Sequence, residues 1–322
     1  MVDEGTVLTP QEVADILKIA KNTVYELIKR GELNAYRVGK KVRVDLKDVE
    51  EYKNRTRNPK LSNEGLKQKT FEGISYNLNP LQYDAVPVNG FVICGQDSLL
   101  DMLSRYLEMH PKGVRALRSY IGSYNGLYEL YQGNIQVATA HLWDGDSGVY
   151  NIPYVRHMLP GTRAVIVHLA CRMQGFYVAK GNPKSIKGWD DLKRRDISII
   201  NRERGSGTRV LLDEHLRKLG IHGYEIEGYD RKCYSHLAVA SAVARGGADI
   251  ALGNEKTGQQ VKGIDFIPMQ NERYEMVIKR EDLTKPPFEA IMEILGSKEF
   301  RLELEGIGGY DLTDIGKIVA ET

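Results

Sequence analysis

LTPQEVADILKIAKNTVYELIKRGELNAYRVGKKVRVDLKDVEEYK, residues 8–53, carries the most decisive pattern in the chain. Its first six residues hold nearly every signal for a helix start. Thr9 is placed to accept a backbone N–H as N-cap, and Pro10 takes the first helical position, where its missing N–H costs nothing. Glu12 completes a capping box, and Leu8 against Val13 forms a hydrophobic staple. Val13, Ile16 and Leu17 then line one helical face. After a turn at Ile19-Ala20, a second helix runs from about Lys21 to Arg30. Val24, Leu27 and Ile28 form its inner face, and Gly31 ends it as the residue best able to turn left-handed. Lys21, Asn22, Thr23, Tyr25 and Lys29 are left for the outer face.

Tyr36–Val44 alternates on both sides of Gly39-Lys40, a pair suited to a two-residue primed turn. This predicts a hairpin with Lys40 and Lys41 at its tip and Arg43 close by, followed by a helix that Asp45 caps and that runs through Lys53. From Lys18 to Val44 the net charge is +6, in a chain of net +2. Concentrated positive charge is what phosphate contacts require. Two tightly joined helices and a basic wing form a unit whose second helix enters the major groove by its N-terminal residues. The segment therefore reads as a DNA-binding domain. Lys21, Asn22, Thr23, Tyr25 and Lys29 are the groove candidates, and Lys40, Lys41 and Arg43 the backbone candidates. Over about residues 6–53 it resembles the excisionase-type, winged branch of the MerR-like helix-turn-helix family.

The 322 residues suggest about two domains. A 42% hydrophobic content and no low-complexity tract indicate an ordinary globular protein. The acidic N-terminus runs straight into a capped helix, without a secretory pattern, and no apolar run approaches the ~20 residues of a membrane helix. A cytoplasmic location follows as the expectation. Cys94, Cys171 and Cys233 are odd in number and far apart, so buried free thiols are expected, not a disulfide framework. The seven histidines lack metal spacing. His168 and Cys171, three apart on an expected strand, should face opposite sides, so neither metal nor cofactor is expected. Asn54–Val88 is polar, basic and punctuated by Pro59, Pro80 and Pro87, and reads as a connector, either a tether or a dimerisation segment.

From Asn89 the texture changes to apolar strand, Gly/Ser loop and amphipathic helix, repeated. Phe91–Cys94 leads through Gly95-Gln96-Asp97-Ser98 into a helix; Val114–Tyr120 leads through Gly122-Ser123-Tyr124 into another. Ile197–Ile200 leads through Asn201–Thr208 into a helix from about Arg209 to Leu219, and Tyr234-Ser235-His236 opens one through Arg245. This alternation implies an α/β fold with a parallel sheet and ligands at the carboxyl ends of the strands. Each loop brings hydroxyls and free N–H groups to a helix N-terminus, where the partial positive charge suits a small anion. The G-x-x-x-x-G-K-[ST] spacing of a P-loop is absent. Ser206, His141 and Asp144 are scattered and form no catalytic motif, so no enzymatic activity is expected.

Several runs carry a second resemblance: Gly122–Leu127, Ala140–Asp144, Gly148–Val155, Gln174–Phe176, Asn201–Arg209 and Tyr234–Ala240. Over about Asn89–Tyr310 the chain resembles the type II periplasmic-binding-protein fold, and the PBP-like domains fused to helix-turn-helix heads in regulators. The resemblance implies a two-lobed, doubly wound α/β body behind a small winged head. The domains would be 1–55 (head), 56–88 (linker) and 89–322 (ligand sensor). The chain would cross between lobes near Arg172–Tyr177 and Met269–Tyr274, giving lobes of about 89–173 plus 272–322 and about 176–268. Relatives that bind molybdate or tungstate hold the oxyanion with hydroxyls and amides of helix-opening loops. By that similarity the ligand residues are Asp97 and Ser98; Ser123; Gly205, Ser206, Gly207 and Thr208; and Ser235 and His236, with His141 and Arg204 beside them. Asp97 departs from the pattern: a carboxylate repels an oxyanion unless it faces away, is protonated or is offset by Arg204 and Arg209, and it leaves room for a cationic or zwitterionic ligand. The implied function is a ligand-responsive transcription regulator with duplex DNA and a small oxyanion as partners, working as a dimer or higher oligomer. The alternatives are the same architecture sensing a small organic or amino acid, and an excisionase-like architectural protein.

Overall fold

The computed structural model describes residues 7–29, 32–39, 41–56 and 90–322. The readings placed on Arg30, Gly31, Lys40 and the connector from 57 to 89 lie outside them. The chain divides into two compact units, Met1–Leu78 and Asn79–Thr322.

In the first unit, β1 (Val7–Leu8) leads into α1 (Pro10–Leu17) and α2 (Lys21–Lys29), followed by β2 (Tyr36–Val38), β3 (Lys41–Asp45) and α3 (Leu46–Thr56). The capping box forms as the sequence implies: Glu12 N donates to Thr9 Oγ1 at 3.3 Å, and Thr9 N donates to Glu12 Oε2 at 2.6 Å. Lys18 closes α1 in the left-handed region at φ 55°. Leu8, Val13, Val24, Leu27, Leu33, Val44 and Val49 bury themselves in one small core. The hairpin pairs β2 with β3, and β1, which the sequence pattern did not reveal, adds a third strand on the far side of β3. That strand fixes the entry into α1. Asp45, expected as a cap, accepts a hydrogen bond from Tyr36 OH at 3.0 Å.

The second unit runs β4 (Phe91–Cys94), α4 (Ser98–Met109), β5 (Ala116–Ser119), α5 (Ser123–Gln132), β6 (Ala138–Ala140), α6 (Ile152–Met158) and β7 (Ala164–Ala179). It continues with β8 (Ile199–Arg202), α7 (Gly207–Leu219), β9 (Lys232–Cys233), α8 (His236–Ala244), β10 (Ile250–Asn254) and α9 (Glu255–Gly258). Last come β11 (Ile264–Lys279), α10 (Pro286–Gly296), α11 (Lys298–Ile307) and β12 (Ile318–Glu321). The sheet is mixed. Strands β4 and β5, β8 and β10, and β8 and β9 pair in parallel, as the strand–loop–helix repeats imply. The antiparallel part comes from β7 and β11, two 16-residue strands paired along nearly their whole length.

These long strands join two halves with separate cores. Phe91, Leu103, Val167, Tyr274, Phe288, Phe300 and their neighbours make the first, extended by Leu127, Leu130, Leu142 and Ile166. Phe176, Ile199, Leu211, Leu216, Leu252 and their neighbours make the second, beside a small cluster around Tyr177 and Val239. The hairpin carrying Trp143 and Tyr150 leaves the first half and buries both rings in the second.

One expectation is overturned. The pairing of β7 with β11 skips a residue between Ala170 and His168, a bulge that turns the strand and puts two side chains on one side. His168 Nε2 therefore lies 3.7 Å from Cys171 Sγ, not across the sheet from it. Among the described residues, no three His, Cys, Asp or Glu side chains form a group able to hold a metal ion, and no helix is long and apolar enough to cross a membrane.

Because Thr9 accepts the N3 amide of α1, Thr9→Ala should destabilise the head by about 1 kcal/mol. Urea unfolding followed at head resonances measures this, and an unmoved midpoint contradicts the capping role.

Candidate functional site

Three helices open on one cavity. Gly122 stands at the N-cap of α5 with no side chain capping it, Ser206 at that of α7 and Ser235 at that of α8. A cavity of about 20 Å³ lies between their ends. Gln96, Asp97, Ser123, Thr139, His141, Arg172, Arg202, Ser206, Gly207, His236 and Tyr274 contribute to its wall. Helices α5, α7 and α8 each direct a partial positive charge and free amide hydrogens toward their N-terminal ends. The first two ends meet across the two halves. Tyr124 N donates to Gly205 O at 2.9 Å, and the His141 ring lies against Gly207.

Arg172 anchors the floor. It is 6% exposed and sits on β7 directly opposite Glu272 of β11, where the paired strands pass between the halves. One guanidinium nitrogen meets Asp97 Oδ2 at 2.5 Å, the other pairs with Glu272, and the group lies 4.0 Å from the centre of the Tyr274 ring. Glu272 Oε2 also lies 2.5 Å from His141 Nδ1, in contact but off the line of an ideal hydrogen bond. Asp97 Oδ1 accepts from Leu99 N at 2.8 Å and from Tyr310 OH at 2.5 Å. Both carboxylates thus turn their oxygens toward internal partners. Burial alone would raise the Glu272 carboxyl, but Arg172 and then His141 outweigh it and hold it at about 2. Burial likewise pushes Asp97 up, and Arg172 with the Tyr310 hydroxyl brings it below the usual carboxylate range.

Arg202 is a second buried cation. It donates to Glu203 Oε2 at 2.9 Å and across the cleft to Gln96 Oε1 at 2.8 Å. Burial, reinforced by Arg202 and Arg172, holds His236 well below its ordinary pKa and therefore neutral. His236 Nδ1 is buried with no hydrogen-bond partner, and so is Thr208 Oγ1. Buried polar atoms in native proteins are nearly always paired, so the orphaned His236 Nδ1 on the cavity wall is a position open to a hydrogen-bonding partner.

The structure brings Asp97, Ser123, His141, Ser206, Gly207 and His236 to this cavity and leaves Ser98, Arg204, Gly205, Thr208 and Ser235 off its wall. Ser98 is exposed and joins Lys256 and Tyr310, with Lys256 Nζ donating to it at 3.1 Å. Arg204 is exposed, and Arg209 pairs with Asp213 at 2.9 Å over the Tyr229 ring, so neither offsets Asp97; Arg172 does. Ser235 caps α8, and Ser206 Oγ caps α7 by accepting from Arg209 N at 3.2 Å while donating to Glu203 O. Gly205 meets Tyr124 N and the Asn125 side chain. Trp143, read as lying near the cleft, stacks on His215 at 4.5 Å, which in turn stacks on Trp189 at 3.7 Å.

Sequence reading missed Arg172, Glu272, Arg202, Gln96, Thr139 and Tyr274. Their signal was present: Arg172 interrupts the apolar run Ala164–Ala179, where a lone charge has no reason to sit without a buried partner.

In the head, Lys21, Asn22, Thr23, Tyr25 and Lys29 all lie exposed on α2, with Tyr25 43% open to solvent. Lys41 is exposed on the hairpin, and Arg43 is half-buried, donating to Val42 O at 2.9 Å.

Arg172→Met would leave Asp97 and Glu272 buried and unpaired, which costs about 3–5 kcal/mol at neutral pH. Glu272, ordinarily near 4.5 and held at about 2 here, contributes stability that is fully present above pH ~4.5 and is lost as pH falls toward 2. The variant's carboxyls take up protons more readily, so its deficit should shrink between pH 7 and pH 3. Urea unfolding at both values measures this; an equal deficit at each would contradict the buried-pair account.

Comparison with known proteins agrees with this architecture. Residues 7–57 match a helix-turn-helix domain family, and residues 104–296 match the PBP superfamily domain. The chain is 41% identical over 325 aligned positions to the uncharacterized protein YvgK of Bacillus subtilis (strain 168), covering all of both chains. It is 65% identical over 112 residues to an uncharacterized protein in the ferredoxin 2Fe-2S gene 5′ region of Clostridium pasteurianum, over 35% of this chain and 99% of that one. Among solved structures, a substrate-binding protein assigned to a phosphate ABC transporter of Clostridium perfringens, with bound phosphate, matches with TM-score 0.51 at 17% identity. That match covers 69% of this chain and 99% of the other. A peroxide-bound OxyR mutant of Corynebacterium glutamicum matches with TM-score 0.50 at 14% identity, over 93% of this chain and 89% of that one. Both likenesses concern the fold. The chain belongs to the PBP superfamily and carries a helix-turn-helix domain ahead of its PBP-like body.

Proposed function

We propose that this protein is a ligand-responsive transcription regulator whose body closes on one small oxyanion and whose head binds duplex DNA. The observation that carries the reading is the cavity where three helix N-termini meet, with the buried, unpaired Nδ1 of His236 on its wall and the unpaired Oγ1 of Thr208 one residue beyond Gly207 of that wall. An anion at this point meets aligned dipoles, each worth about 1–2 kcal/mol in a partly buried setting. It also removes an unfavourable feature of closure, since the like-charged ends of α5 and α7 otherwise face each other. Closing and binding are then one event, and the halves behave as the lobes the sequence suggested, hinged on β7 and β11.

The size of the cavity supports a compact ion over an organic or amino acid. The space of about 20 Å³ is little more than the ~10–15 Å³ that one water needs, which leaves no room for a bulky organic ligand in this arrangement of the halves. The phosphate-bound relative is of the same fold, and the resemblance to molybdate and tungstate binders makes those two ions the first to try. We further propose that the heads act in pairs on DNA half-sites, in the cytoplasm, and that closure alters their spacing. Allosteric coupling of this kind is typically worth ~1–3 kcal/mol, a several-fold change in DNA affinity.

Two expectations test the reading. Thr208→Val should lose a hydrogen bond to a charged group, worth ~1.5–3 kcal/mol, and so weaken molybdate or tungstate binding at least tenfold by calorimetry. Ser206→Ala should instead lose ~1 kcal/mol of stability through its cap, with a smaller effect on binding. Normal affinity in the Thr208 variant would remove that hydroxyl from the site, and wild-type protein indifferent to molybdate, tungstate, phosphate and sulfate would overturn the oxyanion reading. In the head, Lys41→Ala with Arg43→Ala should weaken binding to all DNA alike and flatten the dependence of log K on log salt by about one to two units. Asn22→Ala should erode sequence preference. An unchanged salt slope in the double variant would exclude the hairpin from the interface.

A further inference from the structure

The contact between the two halves is limited by the absence of one side chain. Gly122, at the N-cap of α5, faces the backbone that enters α7. A Cβ built on it would lie 2.7 Å from Gly205 O, 2.8 Å from Ser206 Cα and 2.9 Å from Ser206 N. All three are backbone atoms, so no rotamer change relieves the overlap; only separation of the halves does. Gly207, the first residue of α7, repeats the pattern from the other side. A Cβ there would lie 2.6–2.7 Å from ring atoms of His141, whose Nδ1 lies 2.5 Å from buried Glu272.

Neither glycine is there for its backbone conformation. Gly122 has φ −72° and ψ 166°, a region open to every residue, and Gly207 lies in an α-helix, where alanine is the better former. Gly205, with φ +87°, is different, because its conformation disfavours a side chain in any state. Local folding therefore gives no reason for glycine at 122 and 207, while the approach of the halves gives one at each.

We propose that Gly122 and Gly207 are the closure-determining residues of the body, and that alanine at 122 holds the cleft open without disturbing either half. The proposal rests on the reading of the body as a closing anion sensor. It adds that a single methyl group, itself uncharged, decides whether the halves can close.

Tyr124 reports the closed state directly. Its amide lies in the first turn of α5, where no intrahelical acceptor exists, and it donates to Gly205 O across the cleft. Hydrogen exchange at this amide, in the full chain with and without molybdate, tungstate or phosphate, measures closure. The expected result is protection in wild type that rises with the bound anion, and protection in Gly122→Ala that is lower and unresponsive. Anion affinity by calorimetry should fall at least tenfold while the thermal unfolding of the body stays at the wild-type midpoint. Gly207→Ala should show the same change to a smaller degree, because a side chain and not backbone opposes it, and it serves as the second probe should Gly122→Ala fold poorly. Equal Tyr124 protection in wild type and both variants, in every condition, overturns the proposal. Wild type that no anion protects, alongside a variant still less protected, would instead sink the oxyanion reading and keep the glycine assignment.

Discussion

Arg172 is the residue on which the binding half of the molecule turns. It stands where β7 and β11 pass from one core to the other, and it holds Glu272 of the neighbouring strand and Asp97 at the head of α4. Two buried carboxylates and one guanidinium are costly to remove from water, and such groups seldom add net stability over an apolar replacement. What they add is geometry. Asp97 caps α4, Tyr310 reaches Asp97 from beyond α11, and Glu272 orients His141 against Gly207. Loops distant in sequence are thereby held to one position, and a cavity without a large apolar lining keeps its shape.

The charge balance of that network explains the chemistry left for a ligand. With Asp97 and Glu272 turned toward Arg172, Tyr310 and His141, and Arg202 matched by Glu203, the fixed charges largely satisfy each other. What remains are helix ends, a neutral His236 and unpaired polar atoms. Helix ends and neutral donors of this kind offer directional hydrogen bonds, which discriminate by geometry more than by net charge. The head works on the opposite principle. Its charge is exposed and screened by salt, and its small core around Val13, Val24 and Val44 only has to present α2 and the hairpin rigidly.

Much of this was legible in the sequence because the signals were local. Thr9, Pro10 and Glu12 specify a helix start within four residues, and the spacing of Val24, Leu27 and Ile28 specifies a face, so the head's elements followed nearly position by position. The strand–loop–helix repeats of the body follow the same logic, and the loops at Ser123, Ser206 and His236 could be identified as helix openings before any contact was known. Fold class and the loops that line the cavity therefore belong to the sequence alone.

Pairing decided the rest. The strand β1, the bulge that brings His168 to Cys171, and the burial of Trp143 against His215 depend on partners dozens of residues away, which no local pattern encodes. The same holds for Arg172, visible in the sequence only as a charge in an apolar run. Its partners, Asp97 at 75 and Glu272 at 100 positions away, are chosen by the register of β7 on β11 and by the position of α4. Sequence located the helix ends and the hydroxyls beside them, because these declare themselves locally. Tertiary structure decided which of them face the cavity, turning Ser98 and Arg204 away and bringing Arg172 and Arg202 in, because burial of a charge is a property of the assembled core and not of its neighbours in the chain.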